Sequence, residues 1–83
     1  MKHEITEMLG GIRPEFDFTV EADFIEQGML DSFDVISLVA KLEEKYGVNI
    51  DIMEVLPENF SSVEAIAGLI ERAGSGSRTQ DVG

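Results

Sequence analysis

The sequence predicts an all-α protein: a small antiparallel helical bundle of three main helices plus a short helix, with a long ordered loop between the first and second helices. Three observations lead there. Apolar residues recur at i, i+3, i+4 and i+7 in three separate segments. Two of those segments open on capping signals, Asp31 with Asp34 and Ser61 with Glu64. Eighty-three residues, 43% of them hydrophobic, suffice for one small core and not for two domains. Each helix has a single apolar stripe, so each must bury it against the others.

The first helix occupies residues 1–12, with Ile5, Met8, Leu9 and Ile12 on one face. Gly10 and Gly11 are poor helix formers and mark its expected stop, and Pro14 disfavours helix at Arg13. Residues 13–31 form the loop. It interleaves Glu15, Asp17, Glu21, Asp23, Glu26 and Asp31 with Phe16, Phe18, Val20, Phe24, Ile25, Met29 and Leu30, and has no base after Arg13. So many apolar side chains predict a loop pinned to the core, and long ordered loops often carry function.

Residues 32–46 give the strongest helix. Val35, Leu38, Val39, Leu42 and Tyr46 fall in one narrow stripe. Asp31 is a good N-cap, Asp34 sits where an acid completes a reciprocal cap, and Gly47 suits the position past the end. An extended stretch and at most a short helix follow over residues 48–60, limited by Pro57. Ser61-Ser62-Val63-Glu64 has the capping-box pattern, and the last helix carries Val63, Ile66, Ala67 and Ile70, with Leu69 beside them, to about Ala73. The expected division is a folded domain over 1–73 and a flexible Gly/Ser-rich tail over 74–83.

Composition narrows the function. Seventeen acids against six bases give a net charge of −11. Nucleic acid and anionic membranes need Lys and Arg to neutralise phosphate, so neither is expected as a partner. A basic protein surface is. No apolar run approaches the ~20 residues that span a bilayer. The start lacks a signal-peptide pattern, so the expected compartment is the cytoplasm. With no Cys, and His3 as the single His, no Ser-His-Asp or Cys-His arrangement can form, and an enzyme is not expected. Asp23–Asp34 imitates an EF-hand window with Gly28 at its sixth place, but Ile25 and Gln27 replace interior ligands, so no metal site is expected.

The informative segment is Gly28-Met29-Leu30-Asp31-Ser32-Phe33-Asp34, which opens the best helix. Capping alone accounts for Asp31 and leaves Ser32 an ordinary first-turn residue. A serine at a helix N-terminus, delivered by a long loop, also has free N–H groups and the helix dipole to favour a phosphate. Phe33 falls outside the buried stripe. It either meets partners or folds back on the loop, onto Met29.

The chain here resembles the acyl carrier protein family, which includes peptidyl and D-alanyl carriers. Asp31-Ser32-Phe33 matches the family's attachment motif, and Asp23-Phe24-Ile25-Glu26-Gln27-Gly28 looks like the loop before it. Leu42-Glu43-Glu44-Lys45-Tyr46-Gly47-Val48-Asn49-Ile50 is similar to the end of its second helix, and Phe60-Ser61-Ser62-Val63-Glu64-Ala65-Ile66 to the start of its last. The resemblance covers roughly residues 4–72. It implies that Ser32, with Asp31 as its motif partner, bears a covalent 4′-phosphopantetheine placed there by a phosphopantetheinyl transferase. The arm's thiol would hold acyl or aminoacyl groups as thioesters, which a chain without Cys cannot otherwise do. Implied partners are the transferase, an acyl- or aminoacyl-activating ligase, and acyl-processing or transferring enzymes; the chain would act as a monomer. Phe33, Asp34, Met29, Ser37 and Lys41 are the candidate partner contacts.

The chain departs from the fatty-acid-synthesis pattern, whose second helix is strongly acidic. Here residues 31–46 carry a net −2, whereas residues 15–34 carry −7. The wording around Ser32 and Phe60 looks closer to D-alanyl and stand-alone specialised carriers. The competing reading is an unmodified acidic helical adaptor that binds a basic partner.

Overall fold

A computed structural model describes the backbone of residues 1–82 and the side chains of residues 1–74. The helices are α1 (Lys2–Ile12), α2 (Ser32–Tyr46) and α3 (Val63–Val82). Two one-turn 3₁₀ helices, Ile52–Glu54 and Pro57–Asn59, precede α3. No strand occurs among the described residues.

Each helix turns its predicted stripe inward. Ile5 and Leu9 of α1, Val35, Leu38 and Leu42 of α2, and Ile66, Leu69 and Ile70 of α3 share one core. The loop adds Phe18, Phe24, Met29 and Leu30, and Phe60 closes the end below α3. Full burial of each large side chain contributes ~1.5–3 kcal/mol, set against the entropy of ordering the chain.

Polar contacts at the helix ends show the direction of packing. Tyr46, at the end of α2, donates its hydroxyl to Glu4 at 2.9 Å near the start of α1. Arg13, just past α1, reaches Asp34 in the first turn of α2 at 2.7 Å. Helices α1 and α2 therefore run antiparallel. Lys2 pairs with Glu64 at 3.7 Å, so α1 and α3 begin at the same end. Burial and the bond to Glu4 push the Tyr46 phenol up to about 12.

Helix α2 is capped as its sequence predicts. Asp31 Oδ1 accepts from the Asp34 N–H at 2.9 Å, and Asp34 Oδ2 accepts from the Asp31 N–H at 3.1 Å. Gly47 closes the other end in the left-handed region, at φ 62°.

Elsewhere the structure differs in detail. Helix α1 ends at Ile12, the bound its sequence predicts, but Gly10 and Gly11 lie within it rather than stopping it, because Ile12 still packs on the core and the Arg13 N–H reaches the Leu9 carbonyl. The single short helix becomes two 3₁₀ turns: Asp51 caps the first, and Pro57, lacking an N–H, opens the second. The α3 cap is Ser62, whose Oγ accepts from the Ala65 N–H at 3.0 Å; the position three on is then Ala65, so Glu64 cannot reciprocate. Helix α3 runs well past the end expected near Ala73. The flexible tail expected over 74–83 falls, from residue 75 on, where side chains lie outside the described residues. Among the described residues no helix is long and apolar enough to cross a membrane.

Candidate functional site at the start of the second helix

The loop reaches α2 through a tight wrap. Asp23 Oδ1 accepts the N–H groups of Ile25 and Glu26 at 3.0 Å. The Phe24 carbonyl accepts those of Met29 at 2.8 Å and Leu30 at 3.2 Å. Reversal within so few residues needs a left-handed residue, and Gly28 supplies it at φ 73°. No atom crowds a Cβ there, so the glycine serves backbone conformation rather than close packing. Phe24 anchors the wrap. Its ring is buried edge-on to Phe18 at 5.0 Å, and its N–H donates to the Ser61 carbonyl at 2.9 Å.

Ser32 is the first residue of α2 and is exposed. Among the described residues its hydroxyl has no hydrogen-bond partner. Beside it lies a cleft of about 240 Å³, lined by Ile25, Leu30, Asp31, Ser32, Val35, Ile36, Val55, Leu56 and Pro57. Apolar side chains thus flank a free hydroxyl at the positive end of a fifteen-residue helix.

The flanking carboxylates are not free. Arg13 Nε donates to Asp34 Oδ2 at 2.7 Å, Nη2 to Asp31 Oδ2 at 3.0 Å, and Nη1 to Glu15 at 3.2 Å. The bond to Asp34, and then that to Glu15, raise the Arg13 pKa. The Asp34 N–H, aided by the Arg13 charge, holds the Asp31 carboxyl below the usual carboxylate range.

The expected partner contacts separate into two groups. Phe33 is 76% exposed, so its ring is not part of the buried core. Lys41 is exposed and Ser37 half-buried. Met29 and Asp34, by contrast, are buried, at 7% and 6% exposure. Met29 is drawn into the core by the wrap at Gly28. Asp34 turns inward because its carboxylate closes the cap and meets Arg13.

Sequence reasoning missed Arg13 and Ile36. Ile36 is 66% exposed and follows Phe33 by one helical turn, a spacing that puts both on one face. Arg13 was visible as the lone base beside a run of acids. Two more apolar residues, Ile52 and Met53 on the first 3₁₀ turn, also face solvent. In the EF-hand-like window, Asp23, Asp31 and Asp34 are spent on caps and on Arg13. Among the described residues no group of three or more His, Cys, Asp or Glu side chains is disposed to hold a metal.

The site suits a phosphopantetheine arm. Its hydroxyl is accessible and unengaged, a helix N-terminus favours the phosphate, and the adjoining cleft is apolar. A family model described as the phosphopantetheine attachment site matches residues 3–70. No curated protein and no solved structure matches the chain.

Proposed function

The chain belongs to the phosphopantetheine attachment-site family, and from that premise we propose that Ser32 is the serine that bears the arm. Domains of this family are carriers rather than enzymes and hold 4′-phosphopantetheine covalently on a serine. That membership favours a carrier over an unmodified adaptor. The single observation supporting Ser32 is its position: an exposed, unpaired hydroxyl on the first residue of α2, beside an apolar cleft.

In this reading the chain supplies a nucleophile and a docking surface. The Ser32 oxygen bonds to the phosphorus that carries pantetheine in coenzyme A. The bond from that phosphorus to the 3′,5′-ADP portion breaks, and the hydroxyl proton passes to a base on the transferase. The bound arm contributes a thiol that holds acyl or aminoacyl groups as thioesters. Phe33, with Ile36 one turn on, offers apolar contact to the transferase, the activating ligase and the acyl-transferring enzymes, with Lys41 further along the helix.

The cargo preferred here is that of a dedicated aminoacyl or specialised acyl carrier, such as a D-alanyl carrier. Its acid is concentrated in the loop before Ser32 rather than along α2. The carrier domain is taken as residues 1–73, acting as a monomer in the cytoplasm.

Intact mass after incubation with coenzyme A and a broad-specificity transferase tests the assignment. The wild-type chain gains one phosphopantetheine, and Ser32→Ala gains none while keeping its helical circular dichroism. A mass gain in Ser32→Ala places the site elsewhere.

A further inference from the structure

The charge around Ser32 poses a problem that the attachment motif does not solve. Loading brings an anionic pyrophosphate to the hydroxyl and leaves a phosphodiester on it. Yet Asp31 precedes Ser32, Asp34 follows Phe33, and residues 15–34 hold seven acids and no base. Repulsion at this range is only partly screened, since the Debye length is ~8 Å at physiological salt.

One cation answers both flanking carboxylates. The Arg13 guanidinium binds Asp34 at 2.7 Å and Asp31 at 3.0 Å, and spends its remaining branch on Glu15 at 3.2 Å. The Asp34 side chain is only 9% exposed, so its charge depends on this partner more than a surface carboxylate would. A guanidinium can meet several carboxylates at once from one plane, whereas an ammonium is a single point charge. Arg13 also lies at the end of α1, so the same contacts fix the first turn of α2 relative to the rest of the bundle.

We propose that Arg13 is a positioning residue for loading: it holds Asp31 and Asp34 in place and offsets their charge, so that an anionic phosphate donor can reach Ser32. The proposal rests on Ser32 being the attachment site. Arg13 itself need not touch the donor. It acts through the two carboxylates that bracket the hydroxyl.

The test compares wild type, Arg13→Gln, Arg13→Lys and the double variant Arg13→Gln/Asp34→Asn. Each is incubated with coenzyme A and a transferase, and kcat/KM for the carrier is read by intact mass from low to high NaCl. Urea unfolding gives the folded fraction of each. Arg13→Gln should load about tenfold more slowly than wild type at low salt, with the ratio narrowing as salt screens the exposed charge. Arg13→Lys should recover part of the rate. The double variant, with one buried charge removed, should exceed Arg13→Gln and remains informative if that variant folds poorly.

Wild-type kcat/KM and salt slope for the folded fraction of Arg13→Gln would overturn the proposal. So would a defect that neither salt nor Asp34→Asn relieves, because that is the signature of structural damage alone. Ser32→Ala in the same assay separates the two readings. A mass gain there rejects the site, whereas a blank Ser32→Ala beside an undisturbed Arg13→Gln rejects only the role of Arg13.

Discussion

Helix α2 has two apolar faces with opposite fates. Val35, Leu38 and Leu42 face the core, and Leu38 and Leu42 are completely buried. Phe33 and Ile36 are as hydrophobic, yet they are 76% and 66% exposed. Burial on this helix follows angular position, not residue type. At ~100° per residue, Phe33 and Ile36 share a side that neither α1 nor α3 covers. The lesson is that an apolar residue off the stripe deserves a reason of its own, and here it sits beside the exposed Ser32.

The largest effect expected from this contrast belongs to the inner face. Leu38→Ala should cost ~2–5 kcal/mol, read as a lower urea midpoint with an unchanged slope. In a domain whose total stability is roughly 5–15 kcal/mol, that is a substantial fraction. A cost near that of a surface change would erase the distinction between the faces.

Acid sharpens the comparison, because it acts on the polar ends of the helices and leaves both apolar faces alone. Glu4 is held below the usual carboxylate range chiefly by the Tyr46 hydroxyl, then by Lys45. Asp31 is held low chiefly by the Asp34 N–H, then by Arg13. A carboxylate whose folded pKa is lowered contributes stability that is fully present above its unfolded value, about 4. The contribution is lost as pH falls through the lower folded value. Relief of the net charge of −11 acts in the opposite direction. If the paired groups dominate, chemical denaturation should show stability declining below about pH 4. A rise would assign the larger share to general self-repulsion.

The smallest change in stability is expected on the outer face. Phe33→Ala should shift unfolding by no more than ~0.5 kcal/mol, as for other exposed positions. The same substitution should slow modification of Ser32 or loading of the arm, followed by intact mass. A large drop in melting temperature with normal modification of the folded fraction would return Phe33 to a structural role.

What could be read from the sequence was mostly what one helix decides for itself. The α2 stripe, its reciprocal Asp31–Asp34 cap and the Gly47 stop depend on residues within a few places of one another. They emerged as expected. Ser32 was singled out because its signal, an Asp-Ser pair at a helix start, is equally local. Arg13 was missed because its two partners at the site, Asp31 and Asp34, lie far along the chain, and nothing in local spacing pairs residue 13 with residue 34. Asp34 and Met29 were read both as partner contacts and as the cap partner and a loop anchor, and the structure places both inside. Their burial is set by the guanidinium above one and by the loop wrap beneath the other. Helix α1 passing through two glycines is a further tertiary effect: packing of Ile12 outweighs a local preference of ~1 kcal/mol per glycine.

The hydrogen bond from Phe24 to the Ser61 carbonyl has a consequence for the order in which the molecule assembles. The contacts between α1 and α2, Tyr46 to Glu4 and Arg13 to Asp34, involve only the first 46 residues of the chain. The Phe24 bond requires the segment leading into α3, so the loop before Ser32 is complete only once that segment is in place. A nascent chain still lacking its last helix would then hold the serine without the geometry around it. The Phe24 amide then reports that completion by hydrogen exchange.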